Sequence, residues 1–130
     1  MADPAQPGGK VGLPAEAAAL DEFWSQRIVG EANGSLFKVA KGIGSTNWHA
    51  HDDQDEVFLV LRGKLVVELR DGEVELGEGE LLVVPRGVEH RPRADAEVHL
   101  LLVGTAITST AAGGKPEWSF GGGAPGSEPA

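Results

Sequence analysis

The chain has 130 residues and a mass of 13.5 kDa, with 41% apolar residues, 24% charged residues and a net charge of -9. That length holds one domain around one core, and the acidic balance argues against nucleic acid or an anionic membrane as partner, since both require a basic face. There is no cysteine, which excludes disulfides and thiolate metal ligands.

Residues 1–13 are rich in Gly, Pro and Ala and are expected to be a disordered N-terminal segment. They lack the continuous apolar core of a secretory leader, and no stretch of the chain has transmembrane length, so a cytoplasmic protein is expected. From Pro14 to Trp24 strong helix formers follow an early proline, which predicts a short helix. Arg27 to Ala32 and Ser35 to Lys41 read as a hairpin, because Asn33-Gly34 is a strong two-residue turn signal between apolar runs.

The run Val57 to Leu61 is apolar on both faces. One face is expected to line an interior, and the other to be covered by a second sheet, the helix or another subunit. Strands are further predicted over Lys64 to Arg70, Glu73 to Leu76, Glu80 to Val84, Glu89 to Arg91 and Val98 to Val103, with turns at Arg62-Gly63 and Asp71-Gly72. So many short strands at close spacing indicate an all-β antiparallel barrel or jelly roll. The domain with its helix is placed at residues 14–112. Residues 113–130, with Gly121-Gly122-Gly123 and Pro125-Gly126, are expected to form a flexible tail whose bulky residues are Trp118 and Phe120.

Chemistry concentrates in two segments. Alternate residues of a strand project to one face, so His49 and His51 can point at one ion, and Glu56 can return a carboxylate from the next strand. His90 arrives from a second apolar run. Three nitrogens and one oxygen suit iron, manganese, nickel, zinc or copper better than calcium or magnesium, so the ion is expected to be a single divalent transition metal. By the same alternation Trp48 points away from it. Asp52, Asp53 and Asp55 read as a solvated acidic loop, and Arg62, Arg86, Arg91 and Arg93 as scattered surface charges, any one of which could anchor a carboxylate or phosphate.

The spacing is specific: His49-x-His51, four residues, Glu56, six residues, Gly63; then Gly79, five residues, Pro85-x-Gly87, two residues, His90. It closely resembles the two motifs of the cupin superfamily, over roughly residues 26 to 104. The resemblance implies a double-stranded β-helix (jelly-roll) barrel in which His49, His51, Glu56 and His90 bind one metal. Two positions depart from the pattern. The first motif's glycine usually precedes the first histidine with five residues between them, whereas Gly44 leaves four and Gly42 six, and the asparagine that usually closes the second motif is Ala94.

Four ligands leave one or two positions of the ion open, where a substrate oxygen, water or dioxygen can bind. The resemblance points to a dioxygenase or a sugar or keto-acid isomerase. Proton carriers besides the ligands are few: His99, the candidate catalytic residue, with Glu68 or Glu97, and no tyrosine. That scarcity favours oxygen chemistry slightly. The alternative is a non-catalytic barrel that binds a small molecule or sugar and uses the metal structurally. The two-faced apolar strands agree with a homodimer.

Overall fold

A computed structural model of the chain describes residues 9–105. One short helix, α1 (Leu13–Ala18), precedes seven strands: β1 (Arg27–Ala32), β2 (Ser35–Ser45), β3 (Glu56–Arg62), β4 (Leu65–Leu69), β5 (Gly72–Leu76), β6 (Leu81–Val84) and β7 (His90–Gly104). All pairings are antiparallel, in the order β1-β2-β7-β3-β6, while β4 joins β5 to the first half of β7.

The helix is shorter than the helix formers alone predict. It has no side-chain cap and no basic residue in its last turn, and six residues cannot hold a helix without tertiary support. That support is the burial of Ala17 and Leu20 against Val29, Val39 and Leu101. Beyond it the barrel captures the chain. Trp24 takes a left-handed conformation (φ 64°), donates its indole N–H to Ile43 O at 3.0 Å and donates its backbone N–H to Lys41 O at 2.6 Å. The propagation of α1 loses to these long-range bonds.

Asn33 and Gly34 both have positive φ, 53° and 80°, as a type I′ turn requires, and the hairpin registers Ala32 opposite Ser35. β2 runs on to Ser45 rather than stopping at Lys41. Its register against β7 slips between Gly42 and Gly44, whose partners are Val98 and Ala94. The slip accounts for the unusual glycine spacing. Gly44 has φ 75°, and Gly42 lies where a Cβ would run into the Trp24 ring.

The two strands expected over 89–91 and 98–103 are one strand of fifteen residues, β7. Asp95-Ala96-Glu97, exposed at the slip, interrupt its apolar pattern without breaking the backbone. Residues 90–93 pair with β4, and residues 98–104 lie between β2 and β3.

Alternation sorts the side chains into two clusters. Phe58, Val60, Val67, Leu76, Val84, Ala94, Val98, Leu100 and Leu102 fill the interior with Trp24. Leu59, Leu61, Phe37 and Val103 flank the helix-side cluster. The second face of the Val57 to Leu61 run is thus partly covered by α1. β6 stays bare outside, with Leu81 57% and Val83 47% exposed. Residues 1–8 and 106–130, with the expected N-terminal segment and the tail containing Trp118 and Phe120, fall mainly or wholly outside the described residues.

Candidate metal centre

His49 and His51 lie in the connection between β2 and β3, outside any regular strand. What sets them is an isolated antiparallel bridge between His49 and His90, with His49 N–H donating to His90 O at 3.0 Å and His90 N–H to His49 O at 2.9 Å. The connection is also tied to the turn before β7. Gly87 N–H donates to His51 O at 2.8 Å, and Arg86 N–H donates to Asp55 Oδ1 at 2.9 Å. Gly87 has φ 80°, a conformation that a residue with a Cβ rarely adopts. The two motifs therefore close on each other through backbone bonds.

One nitrogen atom from each of His49, His51 and His90 and one carboxylate oxygen of Glu56 all lie within 4.8 Å of one another. Glu56 Oε1 is 3.2 Å from His51 Nε2 and 3.5 Å from His90 Nε2. The orientation of two rings follows from their second nitrogens. His49 Nδ1 lies 2.9 Å from Asn47 O, and His90 Nδ1 lies 2.9 Å from Val88 O. A carbonyl only accepts, so Nδ1 carries the proton and the Nε2 lone pair is left for an ion. Phe58 packs edge-on to the His90 ring, with centroids 5.8 Å apart.

The electrostatics suit a ligand set. Burial pushes the His49 imidazole down to about 4, below its ordinary 6.5, and its bond to Asn47 opposes this only in part. It is neutral at physiological pH, as a ligand must be. Burial alone would raise the Glu56 carboxyl. The His51 and His90 rings, whose Nε2 atoms lie 3.2 and 3.5 Å from Oε1, together with the charge of Lys38 hold it well below the usual carboxylate range instead.

The donor set fits a divalent transition ion. Bonds of about 2.1 Å place donors at most about 4.2 Å apart, so the cluster needs only a slight contraction. Glu56 and His90 are buried while His49 and His51 are half-buried, which puts the accessible side of the centre at the two N-terminal ligands.

His99 is not brought to this cluster. It lies on the face of β7 opposite Val98 and Leu100, in register with Lys41 and Arg62, with Nε2 2.7 Å from Glu97 Oε2. That partner holds the Glu97 carboxyl below its ordinary value. Glu68 is also turned away, since its neighbours Val67 and Leu69 face the interior and its carboxylate pairs with Arg91 at 3.0 Å and Arg93 at 3.2 Å. Arg86 pairs with Asp55. The Trp48 ring stacks outside, with the Arg70 guanidinium 4.0 Å and that of Arg91 5.3 Å from its centroid.

Sequence reasoning missed Lys38. It faces inward from β2, on the side that carries Ala40 in the core, and is 2% exposed. Burial pushes its amine below the ordinary value, while Glu56 pulls it back up. The only signal in the sequence is its place in Phe37-Lys38-Val39-Ala40, where both faces turn out to be covered.

The fold and this cluster together define a cupin barrel. The family model described as the cupin domain matches residues 35–104, and the chain belongs to that family. It is 36% identical over 83 residues to the uncharacterized protein YdbB of Bacillus subtilis, covering 63% of this chain and 74% of that one. A cupin-2 domain protein of Shewanella frigidimarina superposes with a TM-score of 0.69 at 36% identity, over 72% of this chain and 91% of that chain. A Neisseria meningitidis protein gives 0.68 at 33% identity, over 75% and 99%.

Proposed function

We propose that this cupin is a metal-dependent enzyme acting on a small molecule, with its divalent transition ion held by His49, His51, Glu56 and His90. The observation that carries the reading is the convergence of the four donor atoms within 4.8 Å on a half-buried side of the barrel. When bound, the ion would supply Lewis acidity and an open coordination position. The chain's own residues do the rest. Glu56 supplies the one anionic donor, the Asn47 and Val88 carbonyls fix two imidazoles in the ligating tautomer, and Phe58 and its apolar neighbours keep water from the inner side.

Oxygen chemistry of the dioxygenase type is favoured over isomerisation of a sugar or keto acid. Isomerisation needs a proton acceptor and a proton donor beside the substrate, and His99, Glu68 and Glu97 all face away from the cluster.

The test is elemental analysis of untagged protein purified without chelator, beside the His49→Ala variant, followed by oxygen-uptake assays on a panel of small substrates. Stoichiometric iron, manganese or nickel that is lost in the variant, with turnover that disappears alongside it, supports the reading. A folded, metal-free wild type overturns it in favour of a non-catalytic binding barrel.

A further inference from the structure

The two ligand segments are joined on their outer side as well as through their backbones. Trp48 stands immediately before His49, and Glu89 immediately before His90. β4 ends at Leu69, opposite His90, and Leu69 packs against the interior cluster, so alternation turns the next residue, Arg70, to the outside. Its guanidinium meets both of those flanking residues. Nε and one terminal nitrogen donate to the two Glu89 carboxylate oxygens at 3.1 and 3.4 Å, and Cζ lies 4.0 Å from the centroid of the Trp48 ring.

An exposed ion pair or a single cation–π contact contributes little alone, and Arg70 and Glu89 are both more than half exposed. Here one planar group makes both contacts, a fork and a stack that a lysine ammonium cannot reproduce together. The contacts reach from one segment to the other, so the segments cannot part without losing one of them. Each ring is meanwhile held to its own segment, His49 Nδ1 by Asn47 O and His90 Nδ1 by Val88 O, both two residues back. Imidazoles fixed in this way travel with their segments, and separation of the segments takes the donor set apart.

Resting on the metal-centre reading above, we propose that Arg70 is a positioning residue of the centre, a latch that holds the His49 and His90 segments together from outside and slows the release of a bound ion. It acts through Trp48 and Glu89 and is not itself a ligand. The latch is exposed, so salt weakens it.

The test compares the full chain with Arg70→Met, Arg70→Lys and Glu89→Gln, all at exposed positions where folding should survive. The first readout needs no metal. Diethyl pyrocarbonate modifies neutral imidazoles, and His90 is 1% and His99 5% exposed, so the reagent reaches either ring only when its surroundings open. His99 lies away from the cluster and serves as the internal control. At pH 7, modification of His90 followed by mass spectrometry should be roughly tenfold faster in Arg70→Met and roughly threefold faster in Glu89→Gln, with Arg70→Lys between wild type and Arg70→Met. His99 should react at one rate in all four proteins. Raising the ionic strength from about 0.05 M to about 1 M should speed the reaction of His90 in wild type and leave Arg70→Met unchanged.

The second readout is loss of cobalt(II) to excess chelator, followed by visible absorption, at chelator concentrations where the rate no longer rises. Release should quicken in each variant by the factor found for His90. An unchanged His90 rate overturns the inference, as does equal acceleration at His90 and His99, which marks general loosening. Faster modification of His90 with unchanged cobalt release overturns the role assigned to Arg70 toward the ion. Failure of wild type to bind cobalt removes the metal-centre reading itself, and the His90 rates then decide separately whether Arg70 joins the two segments.

Discussion

At the level of single residues, the depressed His49 imidazole ties stability to pH. Above about 6.5 the ring is neutral in both the folded and unfolded chain and pH has no hold on it. Between 6.5 and about 4 the unfolded chain binds a proton that the folded chain refuses, so the metal-free protein loses stability as pH falls through that window, on the order of 3 kcal/mol in total. Glu56 acts in the same direction further down. Its folded carboxyl sits below the ordinary value, so its contribution is present above that value and disappears on further acidification. Urea unfolding of chelator-treated protein at pH 7, 5.5 and 4.5 should show the midpoint falling at each step. Replacing His49 by Phe should flatten the upper part of the curve, and an unchanged slope would show that another group carries the effect.

Among the strands and turns, the tightest constraint is Gly42 under the Trp24 ring. Gly42→Ala drives a methyl group into an indole that is buried and hydrogen-bonded to Ile43, and overpacking of this kind costs about 1–3 kcal/mol. Thermal unfolding should register it as a clear drop in Tm. What was legible in the sequence follows the same division between local and distant causes. The Asn33-Gly34 turn and the His49, His51, Glu56 and His90 set could be read directly, because a turn and a ligand spacing are encoded by neighbouring residues. The end of α1 at Ala18, the unbroken β7 and the inward turn of Lys38 could not. Each depends on partners far along the chain: Lys41 and Ile43 for the helix end, β2 and β3 for the strand, and Glu56 for the lysine. His99 lies on a strand that was foreseen, on the face it shares with Leu101 and Val103.

For the molecule as a whole, β6 ends the sheet with Leu81 and Val83 exposed, beside the partly covered Val57 and Leu59 with which they pair. An apolar strip along an unpaired edge is a place for another strand or another sheet. We propose that two copies of the chain associate there. Light scattering at micromolar concentration should give twice the monomer mass, and Leu81→Lys with Val83→Lys should halve it while leaving metal uptake unchanged. A monomeric wild type would sink the proposal. No helix among the described residues is long and apolar enough to cross a membrane.

The paired backbone bonds between His49 and His90 also give the centre a clock. Each residue's amide is closed by the carbonyl of the other, so the backbones of the two residues separate only when both bonds part, and parting exposes the same two amides to solvent. Deuterium uptake at His49 and His90 then reads how often the two segments come apart. Slowing that separation would lengthen the protection of both amides by the same factor.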